Sequence, residues 1–286
     1  MRIISGEFRS RKLLSPPDAE TTRPIPDRVK ESLFGLLRGH VEGASVFDGF
    51  AGSGAFGLEA VSRGASRCVF VEKDRAAGAL LKRNIELLDA GDRCELIVGD
   101  ALGPGALARC PRPATIVFLD PPYPLVRDIV GWKRVRSQLE RLIACLADDG
   151  YAMLRTPWPF VQLVDEEGKD ASGGGEDREE GRGKRRERED GRKGRRDRGE
   201  RGRERRSPQG REEEVWSIEH RREEDLTGLS EAEIEAIDAA EADALAQAAE
   251  KKKLQKIFPD LTIPGAAGPE THEYGTMAVH LYQRAR

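Results

Sequence analysis

Between residues 43 and 155 the chain alternates short apolar runs with amphipathic stretches. The runs at 45–50, 67–72, 94–98, 115–120 and 151–155 predict strands, because they are brief and bounded by turn residues. The stretches at 54–63, 75–88 and around 137–147 carry the amphipathic pattern of helices. Strand–helix alternation at this interval predicts an α/β fold, with a mostly parallel sheet covered by helices on both faces. Two later runs, 215–222 and 276–283, are strand-like and predict an antiparallel hairpin at a sheet edge, with a large insertion at its tip.

Part of that insertion has a helical pattern of its own. Ser230 and Glu233 form a capping-box pair, acids follow early and lysines late, and Ile234, Ile237, Leu245, Leu254, Ile257 and Phe258 make a thin apolar stripe. One loosely docked helix is expected, ended by Pro259 and Pro264.

Composition sharpens the division of the chain. Of 286 residues, 35% are charged and 38% hydrophobic, against roughly 25% and 45–50% in an average soluble domain. Residues 166–214 hold 17 Lys and Arg and 16 Asp and Glu, and their one apolar residue is Ala171. The remaining chain is therefore ordinary in charge. The tract cannot bury enough apolar area to offset its ordering entropy, so a disordered linker is expected there. Its Arg-rich middle, 184–206, leaves an electrostatic tether for RNA as the alternative.

The expected organisation is thus a basic arm at 1–42, a core at 43–165, the charged insert at 166–214, a core strand at 215–222, a helical insert at 223–270 and a last strand at 271–286. With no apolar run of about 18 residues and no apolar leader, a cytoplasmic chain without membrane contact is expected. Cys68, Cys94, Cys110 and Cys145 are scattered without a CxxC pair, so neither a metal site nor a disulfide framework is signalled.

The first strand-to-helix turn carries the first chemistry. Gly52, Gly54 and Gly57 satisfy GxGxxG, and Glu72 ends the next predicted strand, where a carboxylate can accept from both ribose hydroxyls. This points to an adenosine-containing cofactor held by Phe50, Ala51, Gly52, Ser53 and Gly54, with Glu72 and the adjoining Lys73. Asp48 stands just before the glycines. A carboxylate there suits a cationic amino-acid end and a sulfonium better than a pyrophosphate, which favours S-adenosylmethionine over a nicotinamide dinucleotide. Asp100, followed by Ala101, ends the third strand and can accept from the adenine amine.

The strand at 115–120 runs into Asp120-Pro121-Pro122-Tyr123. Two prolines cannot continue a central strand, so the chain leaves the sheet there and holds its backbone stiffly. The Asp120 carboxylate and the Pro121 carbonyl are acceptors only, and Tyr123 offers a ring face. Two fixed acceptors beside an aromatic ring suit a planar amine, whose lone pair is freed for a methyl sulfonium when both N–H bonds are held.

The glycine turn with Asp-Pro-Pro-Tyr resembles the class I S-adenosylmethionine-dependent amino-methyltransferases. Arg2-Ile3-Ile4-Ser5-Gly6, Arg9-Ser10-Arg11-Lys12-Leu13, the stretch from Arg23 to Phe34, and Asp48 through Ala60 narrow the likeness. They resemble the bacterial small-subunit ribosomal RNA guanine-N2 methyltransferases, the RsmD family. The likeness covers roughly 1–165, 215–222 and 271–286; Pro26, Ile25 and Gly49 depart from the family pattern, and both inserts are foreign to it.

The resemblance implies a doubly wound, seven-stranded, mostly parallel sheet with an antiparallel last strand. It also implies methylation of the 2-amino group of a guanine in 16S ribosomal RNA, within a 30S assembly particle, by a monomer without a metal. The basic N-terminus agrees with an RNA partner: Arg2, Arg9, Arg11, Lys12, Arg23, Arg28, Lys30 and Arg38 stand against five acids, and Phe8 is a candidate for base stacking. The alternatives are methylation of adenine-N6 or of a protein glutamine, and a nicotinamide-dependent oxidoreductase.

Overall fold

The computed structural model describes residues 1–15, 25–164 and 255–286, together with the helical positions Ala236, Ala239 and Ala240. The chain divides into two units, 1–173 with 223–286, and 174–222; the second lies outside the described residues, as does the predicted strand at 215–222.

A seven-stranded sheet organises the first unit. Its strands are β1 (Ser45–Gly49), β2 (Arg67–Glu72), β3 (Cys94–Val98), β4 (Ala114–Leu119), β5 (Leu146–Pro157), β8 (Ala266–Tyr274) and β9 (Met277–Arg284), in the order β3-β2-β1-β4-β5-β9-β8. β1 to β5 are parallel; β9 runs antiparallel to β5 and to β8. This is the expected doubly wound sheet with an antiparallel last strand. A separate pair joins β6 (Gln162–Val164) to β7 (Gln255–Ile257).

Helices α1 (Asp27–Leu36), α2 (Gly57–Ser62), α3 (Arg75–Leu87), α4 (Pro104–Arg109), α5 (Tyr123–Arg127) and α6 (Ile129–Ile143) flank the sheet. Alternate strand residues feed two cores. Val46, Phe70 and Phe118 pack with Leu33, Leu58 and Leu81 on one face, and Phe47, Val71 and Leu119 pack with Trp132, Leu139 and Leu142 on the other. The central strands are buried on both faces, which is why they read as apolar runs rather than alternations.

Four expectations are corrected. The edge hairpin is formed by β8 with β9, so β9's partner comes from 266–274 and not from 215–222. The segment 223–270 is not wholly an insert: Ile263 is buried in the second core and Tyr282 Oη donates to the Leu261 carbonyl at 2.9 Å. The helix predicted through residue 258 has ended by Gln255–Ile257, which is extended; Phe258 is exposed. The helix expected around 137–147 starts earlier, at Ile129, because Asp128 caps it by accepting the Gly131 N–H.

The N-terminus is also not a free arm. Met1 to Leu13 fold back on themselves, with Ile3 N–H donating to Arg11 O at 2.9 Å and Ser10 N–H to Ile3 O at 2.9 Å. Ile3, Phe8 and Leu13 enter the first core, so Phe8 is unavailable for base stacking; the Arg93 guanidinium lies 5.4 Å from its ring centre.

Candidate active site

Parallel topology places the ends of β1, β2, β3 and β4 along one edge of the sheet, where an open α/β fold binds ligands. The glycine turn leaves β1 at this edge. Phe50 adopts φ +62°, a left-handed conformation uncommon for a residue with a side chain, and Gly52 and Gly54 follow at +54° and +90°. A Cβ on Gly54 would lie 2.5 Å from the Leu81 side chain, so both conformation and space require glycine there. The turn delays the helix: α2 begins at Gly57 rather than at residue 54.

Glu72 holds this turn. Its Oε2 accepts the Gly52 N–H at 2.7 Å and its Oε1 accepts the Asp74 N–H at 2.7 Å. Each oxygen keeps a second lone pair, and the side chain remains partly exposed, so the carboxylate braces the loop and keeps acceptor capacity toward the sheet edge. Lys73 is exposed beside it. Asp100 follows β3 and accepts from Leu102 N–H at 2.9 Å and from Arg134 of α6 at 3.0 Å. Ala101 is buried, its carbonyl accepting from Gln138 at 2.9 Å. Ser53 is buried too, its carbonyl receiving the Asn84 amide at 2.9 Å.

Asp48 has a different task from the one expected. Its side chain is buried, and Oδ2 accepts the Gly57 N–H at 2.8 Å, fixing the start of α2. Burial raises its pKa to about 8, with the neighbouring Asp120 and Glu72 charges adding to the rise. A carboxyl held this way presents no open anion to a ligand. Its presence therefore does not separate a sulfonium from a pyrophosphate, and that expectation is withdrawn.

Asp120 lies immediately beyond β4, and its N–H donates to Gly49 O at 3.4 Å. This contact sets the Asp-Pro-Pro-Tyr turn beside the start of the glycine turn. Pro121 is buried, Pro122 exposed, and Tyr123 opens α5. Arg155 of β5 completes the arrangement. Its Nε donates to Asp120 Oδ1 at 2.5 Å, and its guanidinium carbon is 5.6 Å from the Tyr123 ring centre. Burial pushes the Asp120 carboxyl above its ordinary value, and the Arg155 charge and hydrogen bond oppose that rise. Sequence reasoning missed Arg155. The available signal was one charged residue at the end of an apolar strand, in register just beyond the Leu119–Leu154 pair.

The predicted RNA contacts separate into classes. Arg11, Lys12 and Arg28 are exposed, and Arg2 pairs with Asp27 at 2.8 Å. Arg9 lines a cleft of about 650 Å³ with Phe34, Arg38, Glu42 and Arg63. That cleft lies toward the amino ends of the parallel strands, where Gly43 N–H meets Gly64 O at 2.8 Å, and not at the glycine turn. Arg23 lies outside the described residues. Lys30 is removed from the set: its side chain is wholly buried and donates to Arg2 O at 2.6 Å and to Glu59 at 3.3 Å.

The donor set fits an adenosine group. Glu72 and Asp100 supply acceptors for hydroxyls and an amine, and the left-handed turn brings backbone close to the site. Among the described residues no cluster of His, Cys, Asp and Glu is arranged to hold a metal ion. None of the helices described is long and apolar enough to cross a membrane.

Comparison with known proteins gives these features a context. Residues 1–156 match the model of the family described as Conserved hypothetical protein 95. The ribosomal RNA small subunit methyltransferase D of Escherichia coli strain K12 is 40% identical over 151 residues, covering 53% of this chain and 69% of the relative. The protein of the same name in Haemophilus influenzae is 38% identical over 128 residues, covering 43% and 64%. The solved structure of yhhF from Escherichia coli superposes with a TM-score of 0.54 at 23% identity, covering 99% of this chain and 97% of the other, and shows the same fold.

Proposed function

The chain belongs to the Conserved hypothetical protein 95 family, and from that membership we propose that it transfers a methyl group from S-adenosylmethionine to the exocyclic 2-amino group of a guanine in 16S ribosomal RNA. The observation that carries the reading is the Asp120–Gly49 contact, which sets two acceptor groups of Asp-Pro-Pro-Tyr beside the glycine turn. The relatives named ribosomal RNA small subunit methyltransferase D support RNA as the methyl acceptor.

S-adenosylmethionine, when bound, supplies an electrophilic methyl on a sulfonium that departs as a thioether. Glu72 would hold its ribose and Asp100 its adenine amine, while backbone groups from Phe50 to Gly54 line the remainder. The chain's own task is to present the acceptor nitrogen. Asp120 and the Pro121 carbonyl each accept one N–H of the guanine amine, which pyramidalises the nitrogen and exposes its lone pair. Tyr123 and the stiff prolines hold the ring, so catalysis is chiefly positioning. The nitrogen forms its new bond to carbon and sheds one proton, toward Asp120 or water. A base in a duplex cannot reach such a turn, so the target guanine is unpaired or flipped out.

The test is transfer of labelled methyl from S-adenosylmethionine to 30S particles and to naked 16S RNA. Incorporation into either, lost in Asp120→Asn, supports the reading. No incorporation into either substrate by the unaltered protein removes it.

A further inference from the structure

Arg155 is 7% exposed and reaches Asp120 and Tyr123, the two side chains assigned to the acceptor. Its Nε occupies Asp120 Oδ1 at 2.5 Å, its Nη1 lies 3.9 Å from Met277 Sδ, and its charge lies over the Tyr123 ring. The cause is register. Leu119 pairs with Leu154 across two parallel strands, so the next residues, Asp120 and Arg155, are neighbours on the same sheet face. Neither can swing away without leaving an uncompensated buried charge.

We propose that Arg155 is a positioning residue for methyl transfer, fixing one oxygen of Asp120 so that the other is held toward the acceptor amine. This rests on the reading of Asp-Pro-Pro-Tyr as the acceptor site. A carboxylate free to rotate divides its lone pairs among many directions; one anchored through a buried guanidinium offers a single direction. The anchor also opposes the upward push that burial gives the Asp120 carboxyl. The titratable and charged groups that face Asp120 are Arg155 from β5, Asp48 from β1 and Tyr123 on the following turn. Burial raises the Asp120 carboxyl, and Arg155 is the cation that opposes this. Nothing else in the site supplies both a cation and a directed N–H to the same oxygen among the described residues.

The experiment uses the full chain labelled with ¹³C at aspartate carboxyls. The Asp120 signal, assigned by its loss in Asp120→Asn, is titrated without RNA in the unaltered protein, Arg155→Lys and Arg155→Met. The midpoint should rise by about one pH unit or more in Arg155→Met, the size of effect an adjacent opposite charge exerts, and by less in Arg155→Lys. The acid limb of kcat/KM for methyl transfer should move upward with it. At neutral pH, kcat should fall about a hundredfold in Arg155→Met, with KM for S-adenosylmethionine unchanged and partial rescue in Arg155→Lys.

Equal midpoints in the unaltered protein and either variant overturn the proposal, whether or not the protein methylates RNA. A midpoint that moves while the acid limb stays fixed overturns it as well. Arg155→Lys keeps the test decisive if Arg155→Met does not fold. An unaltered protein that fails to methylate RNA while the midpoint still moves removes the assigned reaction and, with it, a role for Arg155 in methyl transfer; the titration then identifies the reaction as the part that failed.

Discussion

Lys30 and Glu59 meet at 3.3 Å with both side chains wholly buried. Glu59 also accepts the Ile4 and Ser5 N–H groups at 2.8 and 3.0 Å and Arg63 Nε at 2.8 Å. One carboxylate thereby ties the N-terminal segment, α1 and α2 together, and a lysine that reads as an RNA contact is the ammonium that neutralises it. Burial lowers the Lys30 pKa and Glu59 works against that. Lys30→Met should cost about 3 kcal/mol, toward the lower end for breaking a buried pair because Arg63 still balances Glu59. Urea unfolding measures this; a loss below about 1 kcal/mol would contradict the buried-pair assignment.

The same anchoring depends on Gly6. It adopts φ +89°, and a Cβ there would sit 1.8 Å from the Ser62 carbonyl oxygen. Ser62 also accepts the Phe8 N–H on its hydroxyl at 2.9 Å, so the two segments cannot part without losing further bonds. Gly6→Ala should destabilise by about 2 kcal/mol or more, combining left-handed strain with a backbone clash. An unchanged urea midpoint would show that the N-terminus does not dock this way.

His280 gives a pH dependence. Its ring is wholly buried between two hydroxyls, Thr156 Oγ1 at 2.8 Å and Thr271 Oγ1 at 2.9 Å, and burial lowers its pKa to about 4. The unfolded chain takes up a proton near the ordinary value of 6.5 whereas the folded chain does not. Its stabilising effect is therefore full above about pH 6.5 and is lost progressively down to about pH 4. The unaltered protein should lose about 2 kcal/mol more than His280→Gln between pH 7 and pH 5. Parallel losses in both proteins would mean that His280 is protonated in the fold.

Glu72 is both loop brace and proposed ribose acceptor. Glu72→Gln retains one carbonyl oxygen but cannot accept from both Gly52 and Asp74, whose N–H groups meet different oxygens at 2.7 Å. Affinity for S-adenosylmethionine should fall at least about tenfold, the scale of a lost charge-assisted hydrogen bond. Titration calorimetry checks it, and an unchanged Kd would remove Glu72 from the cofactor site.

The parallel strands and the glycine turn were legible because buried parallel strands and positive-φ glycines leave direct marks in sequence. β1 to β4 fall within a residue or two of their predicted spans. What periodicity does not carry is the direction in which a polar side chain points. Asp48 sits on a central strand and turns inward to the Gly57 N–H, while Lys30 sits on an amphipathic helix and turns into the core. Neither residue type predicts that burial. Arg155 was missed because its role exists only across strands, through the register that sets it beside Asp120. The partner of β9 was misassigned because β8, with Gly268, Pro269 and three charged or imidazole-bearing positions in Glu270, His272 and Glu273, lacks a strand's alternation. It is an edge strand, where such residues are tolerated.

The site assignment itself predicts a separation of functions. Asp120→Asn should lower methyl transfer at least about a hundredfold, since it removes a charged acceptor at the reacting amine. Affinity for S-adenosylmethionine should change little, because the Asp120 carboxyl meets Arg155 and not the glycine turn. Loss of cofactor binding in this variant would mean that Asp120 belongs to the cofactor site.

The most direct measurement is nucleoside analysis of 16S ribosomal RNA after incubation with the protein and labelled S-adenosylmethionine. The label should appear as N2-methylguanosine. Label in N6-methyladenosine, or in protein glutamine with none in RNA, would contradict the assignment of the guanine 2-amino group to Asp120 and Pro121.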